Sequence, residues 1–150
     1  MTHHHYAAAI AWSGSTASGY AAYSREHDVQ CSDAILTLSA DAAFRGDASL
    51  PNPEQLLLAA ASSCQLLSFL AVASLAGVDV VSHRDDATAV MPADAEPMRI
   101  TRIELAPRIE VRQADAETVN RLVREAHDGC YVANSLSAEV VVAPTVEVVS

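Results

Sequence analysis

The sequence contains no lysine: all nine of its basic residues are arginine, against 19 acidic residues. This excludes an enzyme that forms a Schiff base on a lysine, and a nucleotide-binding protein that uses a P-loop lysine. The formal net charge is -10 at pH 7, and the arginines form no basic cluster. We therefore expect neither a nucleic acid nor an anionic membrane surface to be a partner.

Cysteine is also scarce, with three residues in the chain. An odd number of cysteines is not the framework of a disulfide-stapled secreted protein, and the N-terminus lacks the charged-then-apolar pattern of a signal peptide. We expect a cytoplasmic protein, in which a cysteine pair is more often redox-active, catalytic or metal-binding than structural. Cys31 lies in a polar stretch without ligand spacing and is expected to be a bystander.

The 150 residues, about half of them hydrophobic, are enough to bury a core without disulfides and predict one domain covering residues 1–150. Residues 1–5 are expected to form a flexible tail. Three adjacent histidines, His3 to His5, cannot converge on a metal ion without a fixed turn, so a native or tag-derived tail is favoured over a metal site.

The longest uncharged apolar stretch runs over residues 51–77 and predicts a buried helix. Asn52 is suited to the N-cap, and Pro53 to the first position of the helix. Gly77 is suited to the left-handed conformation that ends a helix. No polar face is evident, so the helix should be surrounded by protein or by a partner chain. Interrupting serines and Gln65, without flanking basic residues or an aromatic belt, argue against a membrane span.

The rest of the chain alternates between strand and helix patterns. Strands are predicted at residues 6–12, 20–26, 34–39, 78–81, 99–112 (bent near Pro107) and 139–149 (an edge or bulge at Pro144), and a second helix at 115–127, with Asp115 as N-cap and Gly129 at its end. This order predicts an α+β fold in which antiparallel β-sheets pack on helices.

Cys64, near the middle of the long helix, and Cys130, just past the second helix, can meet only through tertiary structure. They could form a peroxidatic and resolving pair, in which one thiol is oxidised to a sulfenic acid and the other closes a disulfide. They could instead be buried small hydrophobes, the ordinary role of free cysteines. A Cys–His acyl-transfer dyad with His127 or His83 has no local signature, and the metal-ligand spacings of a zinc site are missing.

The block NPEQLLLAAASSC, with Glu54 ten residues before Cys64, and Cys130 in AHDGCYVANS, 66 residues after Cys64, resembles the OsmC/Ohr family of organic hydroperoxide reductases. The resemblance runs from the Trp12–Gly14 turn to the last strand. It implies an OsmC-like fold, in which antiparallel sheets pack around long central helices, and an intertwined homodimer with active sites at the subunit interface. It also implies reduction of alkyl and fatty-acid hydroperoxides by an external dithiol, such as a dihydrolipoyl protein, with no metal, haem or other cofactor.

By the same resemblance, Cys64 matches the peroxidatic cysteine, Cys130 the resolving cysteine, and Glu54 the acid that positions an arginine. The position of that arginine in this sequence departs from the family pattern. We favour Arg45, which is close to Glu54 in the chain, over Arg25. Independently of the family, a thiol in apolar surroundings needs a fixed positive charge to hold it as a thiolate, and a carboxylate can hold an arginine by a bidentate pair.

Ten residues of straight helix correspond to a rise of about 15 Å, so Glu54 cannot lie beside Cys64 of its own helix. The helix is broken, or Glu54 acts through the arginine, or the acid and the thiol come from different chains; we predict a site at a dimer interface. The alternative function is a non-catalytic dimeric stress protein that binds an apolar ligand.

Overall fold

The computed structural model describes all 150 residues and contains nine strands and three helices. They are, in chain order, β1 (Ala9–Ala11), β2 (His27–Cys31), β3 (Ala34–Leu38), α1 (Pro53–Leu75), β4 (Asp79–Asp85), β5 (Thr88–Val90), β6 (Arg102–Leu105), β7 (Pro107–Arg112), α2 (Ala116–Asp128), α3 (Tyr131–Asn134), β8 (Glu139–Val142) and β9 (Thr145–Val149). The α+β class predicted from the sequence is confirmed.

The chain divides into two compact units, Met1–Leu56 and Leu57–Ser150. The first unit contains an antiparallel sheet of order β1-β2-β3 and a 3₁₀ turn at Ala42–Phe44. The strand predicted at residues 20–26 is wrong: this segment is turns, anchored by bonds such as that from the Ala22 N–H to the Gly19 carbonyl. Gly19, with a φ of 94°, begins these turns, because it adopts a conformation that other residues resist.

The second unit contains two sheets, of order β4-β7-β9 and β5-β6-β8. Both are mixed, because β6 pairs with β8, and β7 with β9, in parallel. The expectation of antiparallel sheets is therefore wrong for these pairs. The physical reason is the crossover through α2 and α3, which returns the chain to the sheet in its original direction.

Each of the two strands predicted at residues 99–112 and 139–149 is broken into two that lie in different sheets. The breaks fall at Ala106 and at Ala143–Pro144. The partner of Arg102 is Glu139 and the partner of Arg108 is Thr145, so the parallel register is the same on both sides of the break. The two strands thus turn together from one sheet into the other.

Asp85 secures the break. One carboxylate oxygen accepts a hydrogen bond from the Ala106 N–H at 2.8 Å, and the other accepts one from the Ser62 hydroxyl on α1. A single side chain therefore joins the last residue of β4, the point where β6 becomes β7, and the helix that carries Cys64.

The first helix begins and ends as predicted. The Asn52 side chain accepts from the Gln55 N–H at 2.9 Å, the Gln55 side chain accepts from the Asn52 N–H at 3.0 Å, and Gly77 is left-handed, with a φ of 74°. These two bonds form a reciprocal cap. The three helices differ greatly in length, with 23, 13 and 4 residues, so only α1 is long.

Only one stripe of α1 is buried, at a spacing of four residues: Ala61, Gln65, Phe69 and Ala73. Phe69 and Ala73 pack on β7 and α2. Ala61 packs on Ile103 and Leu105 of β6. Leu67 and Leu75 are 63% and 89% exposed. By length and composition α1 could also cross a membrane. This is weak evidence for a membrane span, because core helices of soluble proteins pass the same test.

The second helix matches its prediction in both its cap and its buried face. The Asp115 carboxylate accepts from the Thr118 N–H at 2.7 Å, and Gly129 lies at its end. The buried residues are those predicted, Val119, Leu122, Val123 and Ala126. The short helix α3 was not predicted, because four residues carry no periodicity.

We predict that Asp85→Ala destabilises the second unit by about 1 kcal/mol, because the Ala106 N–H and the Ser62 hydroxyl lose their protein acceptor. Urea unfolding followed by circular dichroism measures this. The matched control is Asp86→Ala, since the Asp86 side chain is 82% exposed and its only ion pair is 3.9 Å long. Equal unfolding midpoints for the two variants would contradict the role of Asp85.

Candidate functional site

Cys64 lies on the flank of the buried stripe of α1. It directly precedes Gln65, and its own side chain is half-buried. Ala61, three residues earlier, packs against β6. Ser62, two residues earlier, donates a hydrogen bond from its hydroxyl to Asp85. The thiol is therefore carried by a rigid helix and remains partly reachable from outside the unit.

Cys130 lies in the short link between α2 and α3. Its N–H donates to the His127 carbonyl at 3.1 Å, and its carbonyl accepts from the Asn134 N–H at 3.0 Å. Its side chain is 1% exposed. The backbone on both sides is thus held by hydrogen bonds, and the thiol points into the protein.

The two thiols, 66 residues apart in sequence, are neighbours in the second unit. Burial raises the pKa of the Cys130 thiol, and the neighbouring Cys64 raises it further. The Ala133 and Val132 N–H groups act in the opposite direction and are outweighed. Cys130 is therefore a neutral thiol at pH 7, and both cysteines are free.

Gln65, which follows Cys64 on α1, is a buried side chain whose polar groups are incompletely satisfied. It is 2% exposed, its Nε2 donates to the Val123 carbonyl at 3.3 Å, and its Oε1 has no partner. The Nδ1 atom of His127, one turn after Val123 on α2, is also buried and unpaired. In the sequence, Gln65 stands out only as a polar interruption of the apolar stretch, because its burial depends on which stripe of α1 faces α2.

Glu54 lies in the first turn of α1, where it is half-buried. The cap of this helix is made by Asn52 and Gln55, so the Glu54 carboxylate is not used in capping. It takes part in none of the five ion pairs of the structure. Its carboxylate is therefore available to bind a cation.

The two candidate arginines both lie in the first unit, near the ring of Tyr20. The Arg25 guanidinium is 4.7 Å from that ring centroid and 3.6 Å from the Tyr23 centroid, and it donates to the Tyr23 and Tyr20 carbonyls. The Arg45 guanidinium is 6.0 Å from the Tyr20 centroid and makes no side-chain hydrogen bond or ion pair. Arg25 is thus held in place, whereas Arg45 is free to reach a partner.

The backbone of Arg45 adds a second observation. Its φ is 65°, in the left-handed region, where it ends the 3₁₀ turn. A non-glycine residue is disfavoured there by about 1 kcal/mol or more, and such strain is concentrated at functional positions. An arginine at a position that suits glycine is consistent with a use for its side chain.

The other candidate residues do not assemble into a site. Cys31 is exposed at the end of β2, and no group of three or more His, Cys, Asp or Glu side chains could hold a metal ion. The His83 ring lies 6.1 Å from the Phe69 ring, and burial lowers the pKa of this imidazole. It therefore packs partly buried against α1.

We predict that the Cys64→Ser variant lowers the pKa of Cys130, because it removes the neighbouring thiol that raises it, while burial keeps this pKa above that of a free cysteine. Iodoacetamide alkylation of the folded protein as a function of pH, with each cysteine read by peptide mass spectrometry, measures both effects. Exposed Cys31 serves as the internal control and should alkylate faster than Cys130. A Cys130 alkylation profile unchanged by Cys64→Ser would show that the two thiols do not interact.

The fold is shared with several solved structures. An OsmC-like protein of unknown function from Vibrio cholerae has a TM-score of 0.82 at 23% identity, with 98% of this chain and 100% of that chain covered. An organic hydroperoxide resistance protein OsmC from Legionella pneumophila has a TM-score of 0.68 at 19% identity, with coverage of 98% and 99%. The organic hydroperoxide resistance protein OhrB of Bacillus subtilis has a TM-score of 0.61 at 18% identity, with coverage of 95% and 98%.

A comparison with curated proteins found no match. The family model described as "OsmC-like protein" matches residues 46–145. This span includes Glu54, Cys64 and Cys130, and it begins one residue after Arg45. Since the match covers two thirds of the sequence and the fold agrees over nearly all of it, the chain belongs to the OsmC-like protein family.

Proposed function

We propose that this protein is a thiol peroxidase that reduces organic hydroperoxides to alcohols. The observation that carries the proposal is the pairing of Cys64 and Cys130, two free thiols brought together from distant parts of the chain, one half-buried and one buried. Two of the similar structures, from Legionella pneumophila and Bacillus subtilis, are named organic hydroperoxide resistance proteins. The odd number of cysteines favours a reducing cytoplasm as the setting.

In the first step, the Cys64 thiolate attacks the terminal oxygen of the hydroperoxide. The O–O bond breaks, the alkoxide leaves and takes up a proton to become the alcohol, and Cys64 becomes a sulfenic acid. The Cys130 thiol then attacks the Cys64 sulfur and gives up its proton to the departing hydroxide. A disulfide forms, and hydroxide leaves and is protonated to water.

An external dithiol completes the cycle by two thiol–disulfide exchanges. Its first thiolate attacks the protein disulfide to give a mixed disulfide, and its second thiol closes a disulfide within the reductant. The protein recovers both thiols and the dithiol loses two electrons and two protons. No metal or organic cofactor takes part.

The difference in burial between the two thiols suits a peroxidatic role for Cys64 and a resolving role for Cys130. Cys64 can meet a substrate from outside, whereas Cys130 is 1% exposed and is shielded from peroxide. The raised pKa of Cys130 keeps it protonated, and so unreactive, until the sulfenic acid forms beside it.

We assign to Arg45 the positive charge that holds the Cys64 thiolate and the peroxide oxygen, and to Glu54 the carboxylate that positions the arginine. Arg45 has no other side-chain bonding partner, and Glu54 is free of the helix cap. Arg25 is already held by two carbonyls and two aromatic rings.

We further propose that the active protein is a homodimer with α1 at the interface. Only four of the 23 residues of this apolar helix are buried, and Leu67, Leu70 and Leu75 are exposed. An exposed apolar helix face of this kind is typical of a protein–protein interface. A partner subunit would cover it and could bring the acid and the thiol of one site from different chains.

The assay uses cumene hydroperoxide with dihydrolipoamide. We expect turnover in the wild-type protein and none in Cys64→Ser, because the attacking sulfur is lost. Cys130→Ser should complete one turnover and accumulate the sulfenic acid, detectable by dimedone labelling. Cys31→Ser is the control and should retain activity; undiminished turnover in Cys64→Ser would refute the proposal.

The same assay decides between the two arginines. Arg45→Gln is expected to lower kcat/KM by about 100-fold or more, as the loss of an electrostatic catalytic group does. The matched control is Arg84→Gln, whose side chain is 80% exposed on β4. If kcat/KM falls in Arg25→Gln and not in Arg45→Gln, the assignment is reversed.

For the dimer, we expect Leu67→Glu to give monomers with little peroxidase activity, because the charge would be buried at the interface. Sedimentation velocity measures the association state. Val81→Glu, which places the same charge on β4 at a residue 40% exposed, is the control. A stable monomer with full activity would contradict the interface.

A further inference from the structure

The buried amide of Gln65 has no part in the thiol cycle described above. Apart from Ser39 in the first unit, Gln65 is the only buried polar residue of the structure, and it directly follows Cys64. An apolar side chain would fill this position of the buried stripe more readily, because a buried amide must find hydrogen-bond partners. An amide at this position therefore indicates a use for its polar atoms.

The orientation of the Gln65 amide is fixed by α2. Its Nε2 donates to the Val123 carbonyl at 3.3 Å. The reverse orientation would set the amide oxygen against that carbonyl, and two acceptors form no hydrogen bond. The Oε1 atom is therefore held as a buried acceptor between α1 and α2, and no donor bonds to it in the structure.

A matching group lies one turn further along α2. The Nδ1 atom of His127 is also buried and without a partner. Side chains of an α-helix lean toward its N-terminus, so the His127 ring covers the turn that starts at Val123. This is the turn to which the Gln65 Nε2 is bound. A hydrogen bond from Nδ1–H to Oε1 would satisfy two atoms that each cost free energy while they are buried and unpaired.

We propose that Gln65 is a positioning residue for Cys130 and acts through His127. The His127 carbonyl accepts the Cys130 N–H at 3.1 Å, so the residue that Gln65 holds also holds the backbone of the buried thiol. Gln65 thereby ties the helix that carries Cys64 to the turn that carries Cys130, and it sets how readily the two sulfurs reach each other. The inference rests on the thiol pair of the proposed function, but not on peroxide as the oxidant.

The experiment measures closure of the thiol pair in the Cys31→Ser protein, the parent, with the disulfide reagent dithiobis(nitrobenzoate) in place of peroxide. The Cys64 thiolate displaces one thionitrobenzoate anion and becomes a mixed disulfide. The Cys130 thiol then displaces the second anion, loses its proton to the buffer and closes the Cys64–Cys130 disulfide. The first release depends on reagent concentration and the second does not, so stopped-flow absorbance separates attack from closure.

We expect Gln65→Met to slow closure about tenfold, the effect of one lost hydrogen bond, and to leave the first release unchanged. Methionine is apolar and close to glutamine in volume, so the buried stripe stays filled. His127→Asn should keep most of the closure rate, because its amide nitrogen replaces Nδ1, whereas His127→Phe should close as slowly as Gln65→Met. The control Gln30→Met makes the same change at an exposed residue of β2 and should close like the parent.

A second measurement does not involve the thiols. Long-range nitrogen–proton NMR spectra at alkaline pH, where imidazoles are neutral, show which ring nitrogen carries the proton. We expect His127 to carry it on Nδ1 in the parent and on Nε2 in Gln65→Met, with His127→Phe to assign the signals. If Gln65→Met does not fold, the parent spectrum and the two His127 variants decide.

Closure at the parent rate in Gln65→Met, or a His127 ring protonated on Nε2 in the parent, would overturn the inference. So would a Gln65→Met spectrum in which His83, whose Nε2 is the third buried and unpaired atom, changes tautomer and His127 does not. A parent that closes, and slows as expected in Gln65→Met, but does not reduce cumene hydroperoxide would support this inference and contradict the peroxidase function.

Discussion

The burial of one stripe of α1 is the constraint on which the second unit depends. Small side chains at Ala61 and Ala73 let the helix approach the strands and α2 closely, while Phe69 fills the space between them. Gln65 lies between these contacts and binds the backbone of α2. This packing fixes the rotation of α1, and the rotation decides that Cys64 lies on the flank of the buried face.

The same packing sets the chemical difference between the two cysteines. Cys130 leaves the end of α2, which is held against α1, and so its thiol is enclosed. Desolvation of a thiol disfavours its charged form, and a second thiol beside it adds to this effect. Two residues of the same type thereby acquire different surroundings from position alone, one half-buried and one buried.

The two units carry different candidate residues. The first unit carries both arginines and the tyrosines on which they rest. The second unit carries the thiols. The two arginines differ in a way that their sequence positions do not reveal. The Arg25 guanidinium is held by two carbonyls and two aromatic rings, whereas Arg45 has a left-handed backbone and a side chain without hydrogen bonds or ion pairs.

The sequence by itself determined the helices α1 and α2, their caps and the buried face of α2, because these depend on contacts within a few residues. It also pointed to Cys64, Cys130 and Glu54, because the spacing of these residues resembles a family motif. It did not reveal that residues 99–112 and 139–149 each divide between two sheets, nor that these pairs run parallel, because strand pairing is decided by segments far apart in the chain. The exposed side of α1 and the burial of Gln65 were likewise decided only by the tertiary structure, which selects one face of each element and the atoms that it touches.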